Sequence, residues 1–142
     1  MARTPEVVLD ASVVCKWFLP ERDSRIALEI RDEHVEGRIR ILAPDLICFE
    51  VANTLRHRRG IGVDQLSGAL RELFDVQLVF VRPSVELLSA ASGHAYRKGL
   101  TIYDACYLAL ADASECSLVT ADRKLLAASP NSVALSKWKS SG

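Results

Sequence analysis

The sequence lacks an excess of either charge and any long apolar run, and each absence excludes a class of protein. Lys plus Arg and Asp plus Glu number 18 each in 142 residues, so overall charge does not attract nucleic acid and such binding needs a local patch. No apolar run approaches the ~20 residues of a membrane-spanning helix, so we expect no membrane segment. Hydrophobic residues make up 49% and charged residues 25%, which excludes a disordered chain and predicts one domain over residues 1–142.

Paired cysteine motifs and a secretion signal are also missing. No C-x-x-C pair occurs, and the apolar stretch near the N-terminus is broken by Asp10 and Lys16. The four cysteines, each in an apolar neighbourhood, are Cys15, Cys48, Cys106 and Cys116. We therefore predict reduced thiols in the fold, neither disulfides nor a zinc site, and a cytoplasmic location.

Several catalytic motifs are absent as well. Neither G-x-x-x-x-G-K-[ST] nor G-x-G-x-x-G occurs, which argues against a nucleotide-binding loop. No histidine has metal-ligand spacing or forms a motif with Ser12, which argues against a Ser/His/Asp hydrolase. A haloacid-dehalogenase-like phosphatase has a second Asp two residues after the strand Asp, and Ser12 occupies that position here.

Short β-branched runs alternate with helical patterns along the whole chain. Strands are predicted at 6–9, 39–43, 76–81, 117–120 and, as an edge strand, 132–135. Helices are predicted at 12–19, 22–37, 45–59, 63–75, 84–98, 102–114 and 123–128. This alternation predicts an α/β domain whose parallel sheet is covered on both faces. Ligands of such sheets bind beyond the carboxyl ends of the strands.

Four acidic residues have an unusual placement. Asp10 directly follows the first strand, and Asp122 follows the fourth. Glu50 and Asp104 lie within otherwise apolar helical segments. In a parallel sheet with helices on both faces, these positions can converge on one crevice.

Each acid also has a purely structural interpretation. Asp10 and Asp122 could be helix N-caps, and Thr101 with Asp104 resembles a capping box. Glu50 could face solvent at the edge of an apolar stripe. We expect that stripe to contain Leu46, Ile47, Val51 and Leu55, widened by Phe49.

Convergence of the four acids would favour a metal ion. Two carboxylates about 5 Å apart repel by roughly 3 kcal/mol at an effective dielectric constant near 20. Four together require protonation or a divalent cation, and oxygen ligands favour Mg²⁺ or Mn²⁺. Such a site is suited to phosphodiester hydrolysis, because the metal activates water and offsets charge on phosphorus.

Four segments in order resemble the PIN domain, most closely its VapC-like toxins. They are VVLDASVVCKWFLPE (7–21), PDLICFEVANTLRHRRG (44–60), TIYDACYLALA (101–111) and LVTADRKLL (118–126). The resemblance implies a three-layer α/β/α sandwich with a central parallel sheet. It also implies a metal-dependent endoribonuclease that forms dimers and is inhibited by an antitoxin inserted into the site. The segment after Ser129 matches poorly, so the resemblance does not predict its course.

The resemblance assigns roles to particular positions. The acidic site corresponds to Asp10, Glu50, Asp104 and Asp122, as catalytic residues and ligands of Mg²⁺ or Mn²⁺. Supporting polar positions correspond to Ser12, Asn53 and Thr120. The alternatives are a non-catalytic RNA- or partner-binding PIN-like domain and a Mg²⁺-dependent small-molecule phosphohydrolase. The presence of all four acids favours catalysis.

A basic run follows Glu50 on the same predicted helix. Arg56, Arg58 and Arg59 could contact RNA, or they could stabilise the helix C-terminus that Gly60 closes. Because successive helix positions differ by ~100°, the three arginines cannot all face one crevice.

Overall fold

The computed structural model describes residues 3–140, which contain five strands and seven α-helices. The strands are β1 (Glu6–Leu9), β2 (Arg40–Pro44), β3 (Val79–Val81), β4 (Ser117–Thr120) and β5 (Ser132–Ala134). The helices are α1 (Ala11–Val14), α2 (Ser24–Val35), α3 (Ile47–Arg56), α4 (Val63–Asp75), α5 (Val85–Lys98), α6 (Ile102–Ala113) and α7 (Arg123–Ala128). Short 3₁₀ turns occupy Cys15–Trp17 and Leu135–Lys137.

The strands form one parallel sheet in the order β3-β2-β1-β4-β5. In the central strand, Val8 is in register with Leu42 of β2 and Leu118 of β4. Val7, Val8 and Leu9 are all buried although successive side chains point to opposite faces. Both faces of the sheet are therefore covered, which confirms the predicted sandwich around a parallel sheet.

Helix α6 is the most deeply buried helix of the described chain. Every residue from 105 to 111 is buried, because α6 packs against β1, β2 and β4 and is covered by α5. Helix α1 contacts β1 and β4 and packs against α3. The segments that carry the four acids thus meet beside the central strands.

Some element bounds differ from those predicted. The strand predicted at 76–81 begins only at Val79, because Val76 still caps α4 and Gln77 takes a left-handed backbone conformation with φ of 59°. The edge strand predicted at 132–135 is present as β5 and is one residue shorter. The helix predicted at 12–19 is α1 followed by a 3₁₀ turn.

The predicted apolar stripe of α3 is narrower in the structure. Ile47, Val51 and Leu55 are buried at spacings of four residues, whereas Phe49 is 78% exposed. Phe49 lies about 200° around the helix from Ile47, so it cannot contribute to the same buried face. The prediction that Phe49 widens the stripe was wrong.

The four cysteines are free thiols, as predicted from the sequence. Cys15 and Cys106 are buried, and the other two are half-buried. Burial is the main cause that raises the pKa of all four thiols. Within residues 3–140, no helix has both the length and the apolar character needed to cross a membrane.

Candidate active site

The carboxyl ends of β1 and β4 open into a cavity of about 400 Å³ that α3 and α6 also line. All four acids singled out in the sequence line it: Asp10, Glu50, Asp104 and Asp122. Strand ends supply the first and last of these, and helices supply the other two. The fold therefore brings four acids from separate segments of the chain to one concave surface of the molecule.

Asp10 is 4% exposed and is held by two hydroxyl groups. Ser12 Oγ donates to Asp10 Oδ1 at 2.6 Å, and Thr120 Oγ1 donates to Oδ2 at 2.7 Å. Each hydroxyl also accepts a backbone N–H, from Ala121 at 3.0 Å and from Asp122 at 2.9 Å. These bonds orient the carboxylate, and Asp10 makes no side-chain cap to α1.

Glu50 is held across the cavity by Tyr107 of α6. The phenol of Tyr107 donates to Glu50 Oε1 at 2.5 Å, and the tyrosine side chain is almost fully buried. Burial and the carboxylate of Glu50 raise the pKa of Tyr107, so its proton stays in place as a donor. Glu50 is therefore oriented within the site.

Asp122 and Asp104 both stand at helix N-termini. Asp122 is the N-cap of α7, and its Oδ1 accepts from the backbone N–H of Lys124 at 2.8 Å and of Leu125 at 3.3 Å. Thr101 caps α6 by accepting from the backbone N–H of Asp104 at 3.1 Å. The capping interpretation thus applies to Asp122 and to Thr101. Asp122 and Asp104 also line the cavity.

The electrostatics of the cavity disfavour full ionisation. Desolvation, with repulsion from Asp122, raises the pKa of Asp10 to about 6 despite its two hydroxyl donors. Burial first, then neighbouring carboxylates, raises the pKa of Glu50 and of Asp104. Among residues 3–140, no ion pair joins any of the four acids to a Lys, Arg or His. The carboxylates therefore lack a paired positive charge.

The remaining predicted residues divide into two groups. Ser12 lines the cavity and Thr120 holds Asp10, whereas Asn53 lies in an adjacent groove with Phe49 and Tyr103. In the basic run Arg58 lines the acidic cavity. Arg56 and Arg59 are exposed and are not part of the cavity lining.

Besides two alanines, five cavity residues were not identified from the sequence: Cys15, Lys16, Glu21, Thr54 and Tyr107. A helical signal was available for two of them. Thr54 follows Glu50 by four residues and Tyr107 follows Asp104 by three, which places each on the same helix face as its acid. No local pattern indicated Glu21, which reaches the cavity from the segment before α2.

Comparison with known proteins gives consistent matches. Residues 7–129 match the family model described as PIN domain. Ribonuclease VapC3 of Pyrobaculum aerophilum is 36% identical over 124 residues, which cover 84% of this chain and 92% of that protein. The crystal structure of PAE2754 from Pyrobaculum aerophilum has a TM-score of 0.65 and 27% identity, covering 93% of this chain and 92% of the other.

A toxin–antitoxin complex from Klebsiella pneumoniae contains a chain of similar fold. Its TM-score is 0.70 at 18% identity, with 91% of this chain and 97% of that chain covered. At this identity the likeness concerns the fold alone.

Proposed function

The chain belongs to the PIN domain family, and from that premise we propose that it is an endoribonuclease toxin of the VapC type. The observation that carries the proposal is the meeting of Asp10, Glu50, Asp104 and Asp122 around one open cavity. The relative with 36% identity is named a ribonuclease, which supports RNA as the substrate. The reaction is hydrolysis of a phosphodiester bond.

The donor set fits Mg²⁺ or Mn²⁺ by its chemistry. Carboxylate oxygens are the ligands that these ions prefer, and burial, followed by neighbouring carboxylates, raises the pKa of three of the acids, so a cation in the cavity would favour their ionised forms. Asp10, Glu50, Asp104 and Asp122 would hold the ion. A bound divalent ion would supply a water of lowered pKa as nucleophile and would offset charge on the phosphate.

Hydrogen bonds within the chain orient three of these four carboxylates. Ser12 and Thr120 fix Asp10, Tyr107 fixes Glu50, and Asp122 uses only Oδ1 as a cap, which leaves Oδ2 available. Within residues 3–140, no three His, Cys, Asp or Glu side chains are arranged to hold an ion in this conformation.

The proposed partners are an antitoxin and a second copy of the chain. Structural neighbours come from toxin–antitoxin complexes, and a basic side chain of an antitoxin would complement the acidic cavity. Exposed aromatic side chains support dimerisation, because Phe49 and Tyr103 are 78% and 64% exposed and line one groove. Substitution F49S should lower the dimer fraction in light scattering. We place the protein in the cytoplasm.

Incubation with total RNA tests the proposed activity. Wild type should cleave RNA with Mg²⁺ and not in excess EDTA, and Asp10→Asn should be inactive in both. Glu33→Gln is the matched control, because Glu33 is a buried carboxylate outside the cavity. Undiminished cleavage in EDTA would contradict the metal mechanism. Cleavage of p-nitrophenyl phosphate in place of RNA would favour a small-molecule phosphohydrolase, and binding of RNA without cleavage a non-catalytic domain.

A further inference from the structure

The acidic cavity also contains two cations that share one carboxylate. Lys16 Nζ lies 3.7 Å from Glu21 Oε1, and Arg58 Nη2 hydrogen-bonds Glu21 Oε2. All three residues line the same cavity as the four acids. We call Lys16, Glu21 and Arg58 the cation clamp.

The backbone brings the clamp residues to the cavity from three directions. Lys16 lies in the 3₁₀ turn one helical turn after Ser12. Arg58 stands eight residues after Glu50, two residues beyond the end of α3. Glu21 is fixed independently of both cations, because its backbone N–H donates to Ser24 Oγ at 2.9 Å and that hydroxyl donates to the Leu19 carbonyl at 2.7 Å.

The clamp leaves positive charge without a full partner. The Lys16 side chain is only 13% exposed, yet 3.7 Å is too long for a good hydrogen bond and no other partner exists within residues 3–140. Arg58 directs one nitrogen at Glu21 and keeps its remaining donors. With one carboxylate between two cations, the clamp carries a formal charge of +1. A phosphate oxygen in the cavity would give this ammonium a hydrogen-bond acceptor of opposite charge.

From this arrangement we propose that Lys16 and Arg58, held by Glu21, form the subsite that binds a phosphate of the RNA backbone. The inference rests on the proposed function and adds a substrate-contacting group to it. Four carboxylates would otherwise repel the polyanion from the cavity. Arg58 supplies a planar set of donors for two phosphate oxygens, and Lys16 supplies a point charge. Glu21 is a positioning residue, because it acts on RNA through the two cations.

A purely structural role would make a different prediction. If the clamp only ties the segment before α2 to the end of α3, its three members should behave alike. Loss of any of them would then lower stability and leave RNA affinity unchanged. Opposite effects of the cations and of Glu21 on RNA affinity therefore distinguish the two roles.

The test measures the salt dependence of RNA binding in an Asp10→Asn background, with a fluorescent single-stranded RNA of mixed sequence and Mg²⁺ present. Lys16→Gln and Arg58→Gln should each weaken binding several-fold and flatten the slope of log K against log salt by about 0.7. Glu21→Gln should tighten binding, because its amide oxygen can still accept from Arg58 while the negative charge beside both cations is removed. Arg56→Gln and Arg59→Gln are matched controls with unchanged slopes, since neither residue lines the cavity.

Unchanged slopes for Lys16→Gln and Arg58→Gln would overturn the inference, as would a loss of affinity in Glu21→Gln equal to that of the cation variants. Circular dichroism establishes that each variant is folded before its slope is compared. Cleavage of total RNA by wild type is measured in parallel. Wild-type cleavage with unchanged slopes refutes the subsite alone, whereas flattened slopes without wild-type cleavage refute the proposed activity and leave a phosphate-binding site.

Discussion

Two buried carboxylates in this molecule have opposite surroundings. Glu33 and Asp10 are 7% and 4% exposed. Glu33 accepts from Arg38 Nε at 2.7 Å and from Ser140 Oγ at 2.7 Å, and the paired guanidinium is the main cause that lowers its pKa. Asp10 receives only neutral hydroxyl donors, and desolvation raises its pKa to about 6.

The two surroundings indicate different roles: Glu33 is a structural acid with a paired cation, and Asp10 is an acid without one in the described part of the chain. The fold supplies a cation where Glu33 joins the end of α2 to the chain near Ser140. Among residues 3–140 no Lys, Arg or His nitrogen lies within 4 Å of the Asp10 carboxylate. The rise of its pKa from 3.8 to about 6 costs about 3 kcal/mol of stability at neutral pH. This cost is the one expected if, as proposed above, a metal ion completes the site.

The largest expected effect is on activity when a cavity acid loses its charge. Asp10→Asn and Asp104→Asn should each lower RNA cleavage by more than the roughly 10–100-fold that is lost when a group supporting a metal ligand is removed. Their melting temperatures should stay level or rise, because repulsion is relieved. Glu33→Gln should show the reverse, with lower stability and unchanged activity per folded molecule. Cleavage assays with circular dichroism melts measure both; destabilised Asp10→Asn and Asp104→Asn variants with normal activity per folded molecule would instead assign these two acids a structural role.

A smaller loss is expected when Glu50 loses the phenol that holds it. Tyr107→Phe keeps the packing of α6 but removes the 2.5 Å hydrogen bond, so cleavage should fall by about 10–100-fold. Tyr96→Phe is the control, because Tyr96 is 90% exposed and does not line the cavity. In a Glu50→Gln background, Tyr107→Phe should cause little further loss. Full additivity of the two losses would show that Tyr107 acts independently of Glu50.

The pH dependence of stability should have opposite signs in the two regions. Asp10 binds its proton more tightly in the folded state, so its contribution to the free energy of unfolding falls as pH rises from about 4 to about 6. Glu33 has a lowered pKa, so its contribution is lost as pH falls below its ordinary value of 4.5. Melting temperatures in EDTA, compared with Asp10→Asn and Glu33→Gln, measure each contribution. Two differences in melting temperature are compared, one between wild type and Asp10→Asn and one between wild type and Glu33→Gln. If both changed with pH in the same direction, the contrast between the two carboxylates would be refuted.

The cysteines should have the smallest effect. Cys48→Ala and Cys116→Ala remove half-buried thiols and should cost at most about 1 kcal/mol through lost packing. Neither should change the metal dependence of cleavage. Metal analysis of the purified protein checks the assignment, and stoichiometric zinc bound through these thiols would contradict it.

The sequence predicted those features that depend on chain-local patterns. Asp10 and Asp122 were identified because they follow buried strands, and the strands themselves because β-branched runs alternate with helices. The acid Glu50 was identified as an exception within an apolar helix. The prediction failed at Phe49, where hydrophobicity outweighed helix geometry.

Contacts between distant segments could not be predicted in the same way. Tyr107 and Glu50 are 57 residues apart, and Arg58 and Glu21 are 37 apart. Both pairs depend on how α3 is placed against its neighbours, which no single segment encodes. Position 54 faces the cavity instead of position 53 because α3 turns by ~100° per residue.

Calorimetric titration of the metal-free protein with Mn²⁺ tests the central claim most directly. At pH 6, where Asp10 is about half protonated, wild type should bind Mn²⁺ and release protons, because a metal competes with protons for the carboxylates. Asp10→Asn should bind far more weakly, and Glu33→Gln should bind as wild type does. An absence of Mn²⁺ binding, or equal binding by wild type and Asp10→Asn, would contradict the assignment of the cavity as a metal site.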